Sequence, residues 1–172
     1  MMRKMAAMTA AALLLLWAVP AMGDEPGLTG VWTYDEEASD DVVAAFEPAL
    51  EEMGRVRRAV ARRVLRREVE PEETTRIDID DETVTVGSGD DPPLVAPVDG
   101  ETVDHENDDG DDFRLRVDLD ASTLTVWVTG DDTDFRSRYR LGDDGTRLDV
   151  EIRVDADELS QAVRYDLVYQ RR

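Results

Sequence analysis

Cysteine is absent from the 172 residues, and histidine occurs once, at position 105. Without thiols, the chain cannot belong to the small scaffolds that depend on disulfides. One imidazole and no thiolate also exclude a zinc site of nitrogen and sulfur ligands within one chain. Because no serine lies in a Gly-x-Ser-x-Gly turn, nothing indicates a Ser-His-Asp triad around His105. We therefore expect no catalytic residues, no metal site and no cofactor.

Positive charge is also scarce. The chain has 20 lysine and arginine residues against 41 acids, which gives a formal net charge of −21. Lys4 is the only lysine, so all later strong cations are arginines. A charge of this sign and size repels nucleic acids and anionic membrane surfaces and favours solubility. We expect no nucleic-acid partner.

Long apolar runs are confined to the amino terminus. Two basic residues precede a short apolar segment, residues 10–19, and small residues at Ala21 and Gly23 suit a cleavage site. This arrangement predicts a signal peptide over residues 1–23. The apolar run is shorter than the roughly 20 residues that a spanning helix needs, so we expect no stable membrane insertion after cleavage. The remainder, residues 24–172, suits one exported domain in the periplasm or outside the cell.

The second half of the chain alternates apolar and polar residues. A period of two is typical of strands with one buried and one solvent-facing side. Short connections rich in Asp, Gly and Ser separate the runs and predict hairpins, and therefore an antiparallel meander. One run has a single polar interruption, at Ser137. The residues expected to point inward are Phe113, Leu115, Val117, Leu124, Val126, Val128, Phe135, Tyr139, Leu148, Val150, Ile152, Tyr165 and Leu167.

Shorter strand signals precede this meander. The candidate strands cover residues 30–34, 74–79, 83–86, 94–98 and 101–106. The last two are expected to pair as a hairpin through Asp99 and Gly100, and Pro97 indicates an edge position because proline cannot donate to a neighbouring strand. We therefore predict a mainly β fold, an antiparallel up-and-down barrel of about eight to ten strands.

Residues 39–69, between the first two strands, carry a helical pattern. Apolar residues recur every three or four positions from Val42 to Val64. Ser39 is the expected N-cap. Pro48 predicts a kink or a break into two helices, because proline removes a backbone donor. The segment predicts an amphipathic helical insertion after the first strand.

The segment Gly30-Val31-Trp32-Thr33-Tyr34-Asp35, followed by a meander that ends in an aromatic, arginine-containing strand, resembles the lipocalins and wider calycin-type barrels. It is similar to the opening of uncharacterised bacterial exported proteins with a lipocalin-like domain. The resemblance implies that Trp32 plugs the closed end of the barrel and that Arg171 or Arg172 stacks over its indole. The alternative is that Trp32 is simply a core residue. The helical insertion departs from the ordinary lipocalin pattern.

A barrel of this size either is filled by its own side chains or holds one small apolar ligand, and the residue types leave both open. We expect an exported, monomeric, non-catalytic protein that binds a small apolar or amphipathic molecule inside the barrel. The residues expected to line that site are Trp32, Phe113, Leu115, Val126, Phe135, Tyr139, Ile152 and Tyr165.

An arginine cluster in the helical insertion suggests a different function. Seven arginines lie between positions 55 and 67 of an otherwise acidic chain. They either neutralise acids of the protein itself or form a basic amphipathic helix that contacts an anionic partner. The second interpretation makes the protein an envelope interaction module with a solid barrel. The contact residues would then be Arg55, Arg58, Arg62, Arg63 and Arg66.

Two further features have open interpretations. Residues 104–112 are rich in acids, but the calcium-loop pattern fails, because the register that fits Gly110 puts His105 first and Arg116 last. A flexible hairpin loop is expected there, and weak divalent-ion binding stays open. Trp127 lies among arginines on the outer side of its strand, where it either stacks with a cation or contacts the helical segment.

Overall fold

Ten antiparallel strands and two helices form one domain in the computed structural model. It describes residues 27–172 except 52, 69–70, 90 and 107–109, and it leaves the side chains of residues 64–68 undescribed. The predicted signal peptide, residues 1–23, lies outside this range and stays a prediction. In chain order the strands are β1 (Gly30–Tyr34), β2 (Thr74–Ile79), β3 (Thr83–Ser88), β4 (Leu94–Pro97), β5 (Val103–Glu106), β6 (Asp112–Asp120), β7 (Thr123–Thr129), β8 (Thr133–Leu141), β9 (Arg147–Ala156) and β10 (Val163–Arg171).

Except for β4 and β5, strands that are neighbours in chain order pair with each other, and β1 also pairs with β10, which gives the sheet order β4-β3-β2-β1-β10-β9-β8-β7-β6-β5. Trp32 faces Arg171 of β10 on one side and Thr75 of β2 on the other. The predicted up-and-down antiparallel barrel is confirmed, with ten strands and a nearly closed sheet. The alternation of apolar and polar residues is the reason, because it places one side of each strand in a common core.

The barrel is left open between β4 and β5. The predicted hairpin between these strands is wrong, since β4 pairs with β3 and β5 pairs with β6. The connecting turn is drawn away from a hairpin, because the Val98 amide donates to the Glu82 carbonyl at 3.0 Å. His105 spans the opening, with Nε2 donating to the Val95 carbonyl at 3.0 Å. Pro97 does lie on an edge strand, as predicted.

The helical insertion consists of α1 (Val42–Leu50) and α2 (Arg55–Glu68). The predicted break at Pro48 is wrong, because Pro48 lies inside α1 and the helices separate around Gly54. The predicted cap is also wrong. Asp41 is the N-cap and accepts from the Ala44 amide at 3.0 Å, whereas the Ser39 hydroxyl accepts from the Val168 amide of β10 at 2.8 Å. Proline is tolerated near the end of α1 since only one helical hydrogen bond is lost there.

The two ends of the barrel differ in what covers them. The tryptophan end contains Trp32, Arg171 and the β8–β9 turn, residues 142–146. The helix end contains α1, α2 and the β9–β10 turn, residues 157–162, whose Ser160 hydroxyl donates to the Ala49 carbonyl at 3.0 Å. Within the described part of the chain, no helix has both the length and the apolar character needed to cross a membrane.

Candidate functional site

Trp32 closes the tryptophan end together with Arg171. The indole has no exposed surface, and its Nε1 donates to the Leu28 carbonyl at 3.0 Å. The Arg171 guanidinium lies 4.3 Å from the ring centroid and donates to the carbonyls of Gly145, Thr29 and Gly27. A guanidinium stacked on an indole is attracted by the ring quadrupole while its edges stay free to hydrogen-bond. The predicted partner of Trp32 is therefore Arg171.

Glycine at position 30 is required by this stack. Its φ angle is +152°, and a Cβ atom there would lie 2.9 Å from Arg171 Nη1. Any larger residue would displace the guanidinium or strain the backbone. The spacing of glycine and tryptophan in the first strand thus follows from the close approach of Arg171.

The interior next to Trp32 is filled by aliphatic side chains. None of the deepest residues exposes more than 2% of its surface. Because a water-sized space against a side chain would leave accessible surface on it, this part of the barrel is dry and close-packed. The residues concerned are Ile77, Val84, Leu115, Val117, Leu124, Leu148 and Val150.

Strand β8 differs from its neighbours, although it lies in the middle of the sheet. Not one of its nine residues is fully buried. On its inner side Ser137, Tyr139 and Leu141 keep part of their surface accessible, and Phe135 is 40% exposed towards the helix end. Ile152 of β9, which pairs with Ser137, is also only partly buried. The inner face of β8 therefore borders accessible space, whereas the aliphatic residues next to Trp32 are close-packed.

Hydroxyl groups gather around this space. The Tyr139 hydroxyl is within hydrogen-bonding reach of Ser137, and the Tyr169 hydroxyl within reach of Thr75. Thr75 Oγ1 in turn lies 3.4 Å from Ser88 Oγ. We call Ser88, Thr75, Ser137, Tyr139, Tyr165 and Tyr169 the hydroxyl cluster. They come from strands β2, β3, β8 and β10, which the closure of the barrel brings together.

Burial makes the tyrosines of this cluster hard to ionise. It raises the pKa of Tyr165 to about 12, with a smaller contribution from the nearby Tyr169. Burial likewise raises the pKa of Tyr139, and the hydrogen bond from Ser137 opposes this only in part. The pKa of Tyr169 is raised for the same reason. A low-dielectric interior disfavours charge, so the cluster is a set of neutral donors and acceptors.

The eight residues predicted to line a binding site all point inward, but they fall into two groups. Trp32, Leu115, Val126 and Tyr165 are buried, whereas Phe113, Tyr139 and Ile152 are partly accessible and Phe135 is exposed. Phe135 and Tyr139 lie on β8, Ile152 pairs with it, and Tyr165 pairs with Ile152 beside the same space. Ser137, Thr75, Ser88 and Tyr169 were missed by the search for apolar positions. The polar residue Ser137, which interrupts the apolar alternation of β8, was the feature of the sequence that could have indicated the hydroxyl groups of the site.

Helix α1 covers the helix end with its apolar face. Val42, Phe46, Ala49 and Leu50 are buried, and the Phe46 ring lies 6.2 Å from that of Tyr165. The cover is therefore packed directly on the hydroxyl cluster.

Helix α2 is attached mainly by its arginines. Arg62 forms a bidentate salt bridge with Glu47 of α1. Arg58 donates to the carbonyls of Glu51 and Met53 at the end of α1, and its Nε is buried without a partner. Two of the five predicted contact arginines are thus engaged within the protein.

The opposite side of α2 faces solvent. Val56 is 80% exposed and Val60 is 58% exposed, and Arg55, Arg57 and Arg63 flank them. We call these five residues the α2 outer face. Arg55 and Arg63, of the predicted contact arginines, lie on it, and the side chain of Arg66 is outside the described part of the structure. Exposed valines beside arginines give this face an apolar and basic character.

The outer surface of the sheet carries Trp127, which stacks with a cation. The Arg116 guanidinium lies 4.3 Å from its ring centroid, so this alternative of the two predicted for Trp127 is the one observed. Two open depressions of about 240 Å³ each adjoin Trp127 and Thr129. Two ion pairs lie nearby. Arg136 of β8 pairs with Glu151 of β9 at 2.6 Å, and Arg153 pairs with Asp155 along β9 at 3.1 Å.

His105 has a structural position in β5. Besides its hydrogen bond to β4, its ring stacks on Phe113 at 5.4 Å. In the described part of the chain, no group of three His, Cys, Asp or Glu side chains is placed to hold a metal ion. Part of the acidic segment 104–112 lies outside that description, so weak ion binding there stays untested.

Comparison with known proteins identifies the fold. No protein-family model matches the sequence, and no curated protein matches it either. Several solved structures, in contrast, have a similar fold. The REP1-NXSQ fatty acid transporter has a TM-score of 0.53 at 17% identity, with 84% of this chain and 96% of that chain covered. Lipid binding protein 8 of Caenorhabditis elegans has a TM-score of 0.53 at 13% identity, with 88% and 100% covered.

A secretary abundant heat soluble protein of Ramazzottius varieornatus has a TM-score of 0.58 at 12% identity, with 84% of this chain and 95% of that chain covered. At such identities the likeness concerns the fold. The chain has the lipocalin-like, calycin-type barrel that its first strand and its meander predicted.

Proposed function

We propose that this protein is an exported, non-catalytic carrier that binds a small apolar or amphipathic molecule inside its barrel. The observation that carries the proposal is the inner face of β8, around Ser137 and Tyr139, where no residue is fully buried although the strand lies in the middle of the sheet. Two structural neighbours are described as a fatty acid transporter and a lipid binding protein, which supports the same class of ligand. A concave apolar space with few polar groups is the usual form of such sites.

Filling the space tests ligand binding directly. The protein purified from its own source should carry a small molecule in native mass spectrometry, and the emptied protein should take up a hydrophobic dye. Ser137→Leu places a bulky side chain in the space and should abolish dye uptake. Ser122→Leu adds the same side chain at an exposed turn and should leave uptake unchanged. Dye uptake by the folded Ser137→Leu variant equal to that of the parent would refute the proposed site.

Export is the part of the proposal that depends on residues 1–23. Expression of the full chain with a carboxyl-terminal tag should yield a processed protein outside the cytoplasm, starting at Asp24. Replacing Leu14 with arginine interrupts the apolar segment and should leave an unprocessed cytoplasmic precursor. Unprocessed protein in the cytoplasm for the parent chain would exclude export by this route.

The α2 outer face favours a second candidate function, contact with an anionic envelope component. Val56 and Val60 are the most exposed large aliphatic residues of the described chain, and their arginine neighbours are cations on an acidic protein. Apolar side chains beside arginines suit the surface of an anionic bilayer. In this function the barrel serves only as a scaffold.

Charge reversal separates the two candidates. Replacing Arg55, Arg57 and Arg63 with glutamate should abolish binding to vesicles that contain an anionic phospholipid. The matched control replaces three exposed arginines outside α2, Arg76, Arg138 and Arg172, so the net charge changes equally. An equal loss of vesicle binding in both variants would show that net charge, and not the α2 outer face, causes the binding. Vesicle binding that is lost only in the first variant would support the envelope contact.

A further inference from the structure

The polar groups inside the barrel carry no charge. Among the described inner-face positions of the ten strands, the only Asp, Glu, Lys or Arg is Arg171, at the very end. The remaining polar side chains there are serine, threonine and tyrosine hydroxyls, the Trp32 indole and the His105 imidazole. Trp32 and His105 are bound to backbone carbonyls. The groups left to meet a ligand are the hydroxyl cluster and the hydroxyls of Tyr34 and Thr133.

Arg171 at one end of the barrel and Arg58 at the other already donate to backbone carbonyls. Arg171 covers Trp32 and donates to three carbonyls. Arg58 donates through Nη2 to the carbonyls at the end of α1, and its Nε is buried without a partner. Near the hydroxyl cluster, the charge that reaches Tyr169 is negative and belongs to Glu72.

An ionised carboxylate would be poorly accommodated in this environment. Burying an anion without a cation is strongly unfavourable, and Glu72 adds repulsion. A hydroxyl or carbonyl group of a ligand, in contrast, can form hydrogen bonds with the hydroxyl cluster, and all of the cluster's side chains stay neutral. The raised pKa values of Tyr139 and Tyr165 agree with an interior that excludes charge.

We infer that the barrel takes an uncharged lipid, with a hydroxyl or carbonyl head held by Ser137, Tyr139 and the neighbouring hydroxyls, and discriminates against the corresponding carboxylate. This inference rests on the proposed carrier function and narrows it to a ligand class. The REP1-NXSQ fatty acid transporter shares the fold of this protein. Because the inner face of this barrel is neutral, we expect it to prefer an uncharged ligand over a fatty acid carboxylate.

The test compares two molecules that differ only at the head, 1-decanol and decanoate, by isothermal titration of the purified protein at pH 8 and pH 6. Decanol should bind equally at both values. Decanoate should bind at least tenfold more weakly at pH 8 and gain about a hundredfold at pH 6, because its neutral fraction rises tenfold per pH unit. Decanoate that binds as tightly as decanol at pH 8 would overturn this inference and leave the carrier function standing.

Variants locate the head group. Tyr139→Phe and Ser137→Ala each remove one hydroxyl and should weaken decanol binding about fivefold to tenfold, whereas Ser122→Ala on an exposed turn should not. Circular dichroism and thermal melting confirm that each variant is folded. Decanol binding that neither variant changes, or decanoate binding that is lost in Arg58→Gln, would place the head elsewhere and overturn the inference. Failure of both molecules to bind would overturn the carrier function as well.

Discussion

The two ends of the barrel are closed by different means. At the tryptophan end one buried indole, one guanidinium and a glycine fit together, and the indole Nε1 and the guanidinium Nε, Nη1 and Nη2 each donate to a backbone carbonyl. At the helix end, Phe46 of α1 packs on Tyr165. Helix α2 is held largely by its own arginine side chains, which donate to Glu47 of α1 and to the carbonyls that follow α1. The tryptophan end is close-packed like a domain core, whereas the helix end is covered by two helices that could move away from the barrel. Accessible inner surface occurs along β8 and reaches towards the covered end, at Phe135.

This difference divides the barrel into a part that maintains the fold and a part that is free to bind. Close-packed aliphatic residues around Trp32 supply hydrophobic stabilisation and leave no room for a ligand. The space along β8 lacks those contacts, so the barrel forgoes some stabilisation there. A ligand that filled the space would recover it, which is the physical basis of the proposed carrier function.

The largest effect is expected at the tryptophan end. Trp32→Ala should lower the free energy of unfolding by about 3 to 5 kcal/mol, because it leaves a large cavity and removes the partner of Arg171. Urea denaturation followed by circular dichroism measures the change. Trp127→Ala, the control, removes an indole that is stacked on the outer surface and should cost about 1 kcal/mol. Equal losses in both variants would contradict the role assigned to Trp32.

Most of this architecture was predictable from the sequence. Alternation over long strands gave the meander, and Gly30 with Trp32 indicated the stack at the closed end. Elements settled by tertiary contacts were harder to predict. The chain tolerates Pro48 within α1 and breaks at Gly54, and Val98 bonds to Glu82, so β4 and β5 do not pair.

The candidate site was predictable only in part, for a related reason. Alternation identifies which side chains point inward, but it does not say which of them meet each other across the barrel. Thr75 and Tyr169 are far apart in sequence and come together only when β1 joins β2 to β10. The hydroxyl cluster is therefore a property of barrel closure.

A smaller effect is expected from alkaline pH, and it concerns the hydroxyl cluster. The pKa of Tyr165 is about 12 in the folded protein and near 10 in an unfolded chain. Between these values the unfolded state loses the proton and the folded state keeps it, so stability is complete below pH 10 and falls as pH rises towards 12. The part of the fall that is due to Tyr165 should reach about 2 to 3 kcal/mol, and the raised pKa values of Tyr139 and Tyr169 add to it.

Few other groups interfere in that pH range, since Lys4 is the only lysine and arginine stays charged. The free energy of unfolding at pH 9 and pH 11.5 is the measurement, with tyrosinate absorbance recorded in parallel. Tyr165→Phe should reduce the loss between the two pH values. Native protein whose tyrosines all ionise near pH 10 would show that the cluster is not shielded from water.

The smallest effect is expected at the cover of the helix end. Ser160→Ala removes one neutral hydrogen bond, from the Ser160 hydroxyl to the Ala49 carbonyl, and should cost about 1 kcal/mol. Because α1 has few other ties to the β9–β10 turn, the loss should be local. Hydrogen exchange should quicken at the amides of Ala49 and Leu50 and stay unchanged at Trp32 and Arg171. Ser122→Ala, on an exposed turn, should change neither. Faster exchange at both ends would mean that the cover and the tryptophan stack open as one unit, which would remove the distinction between a fixed and a removable closure.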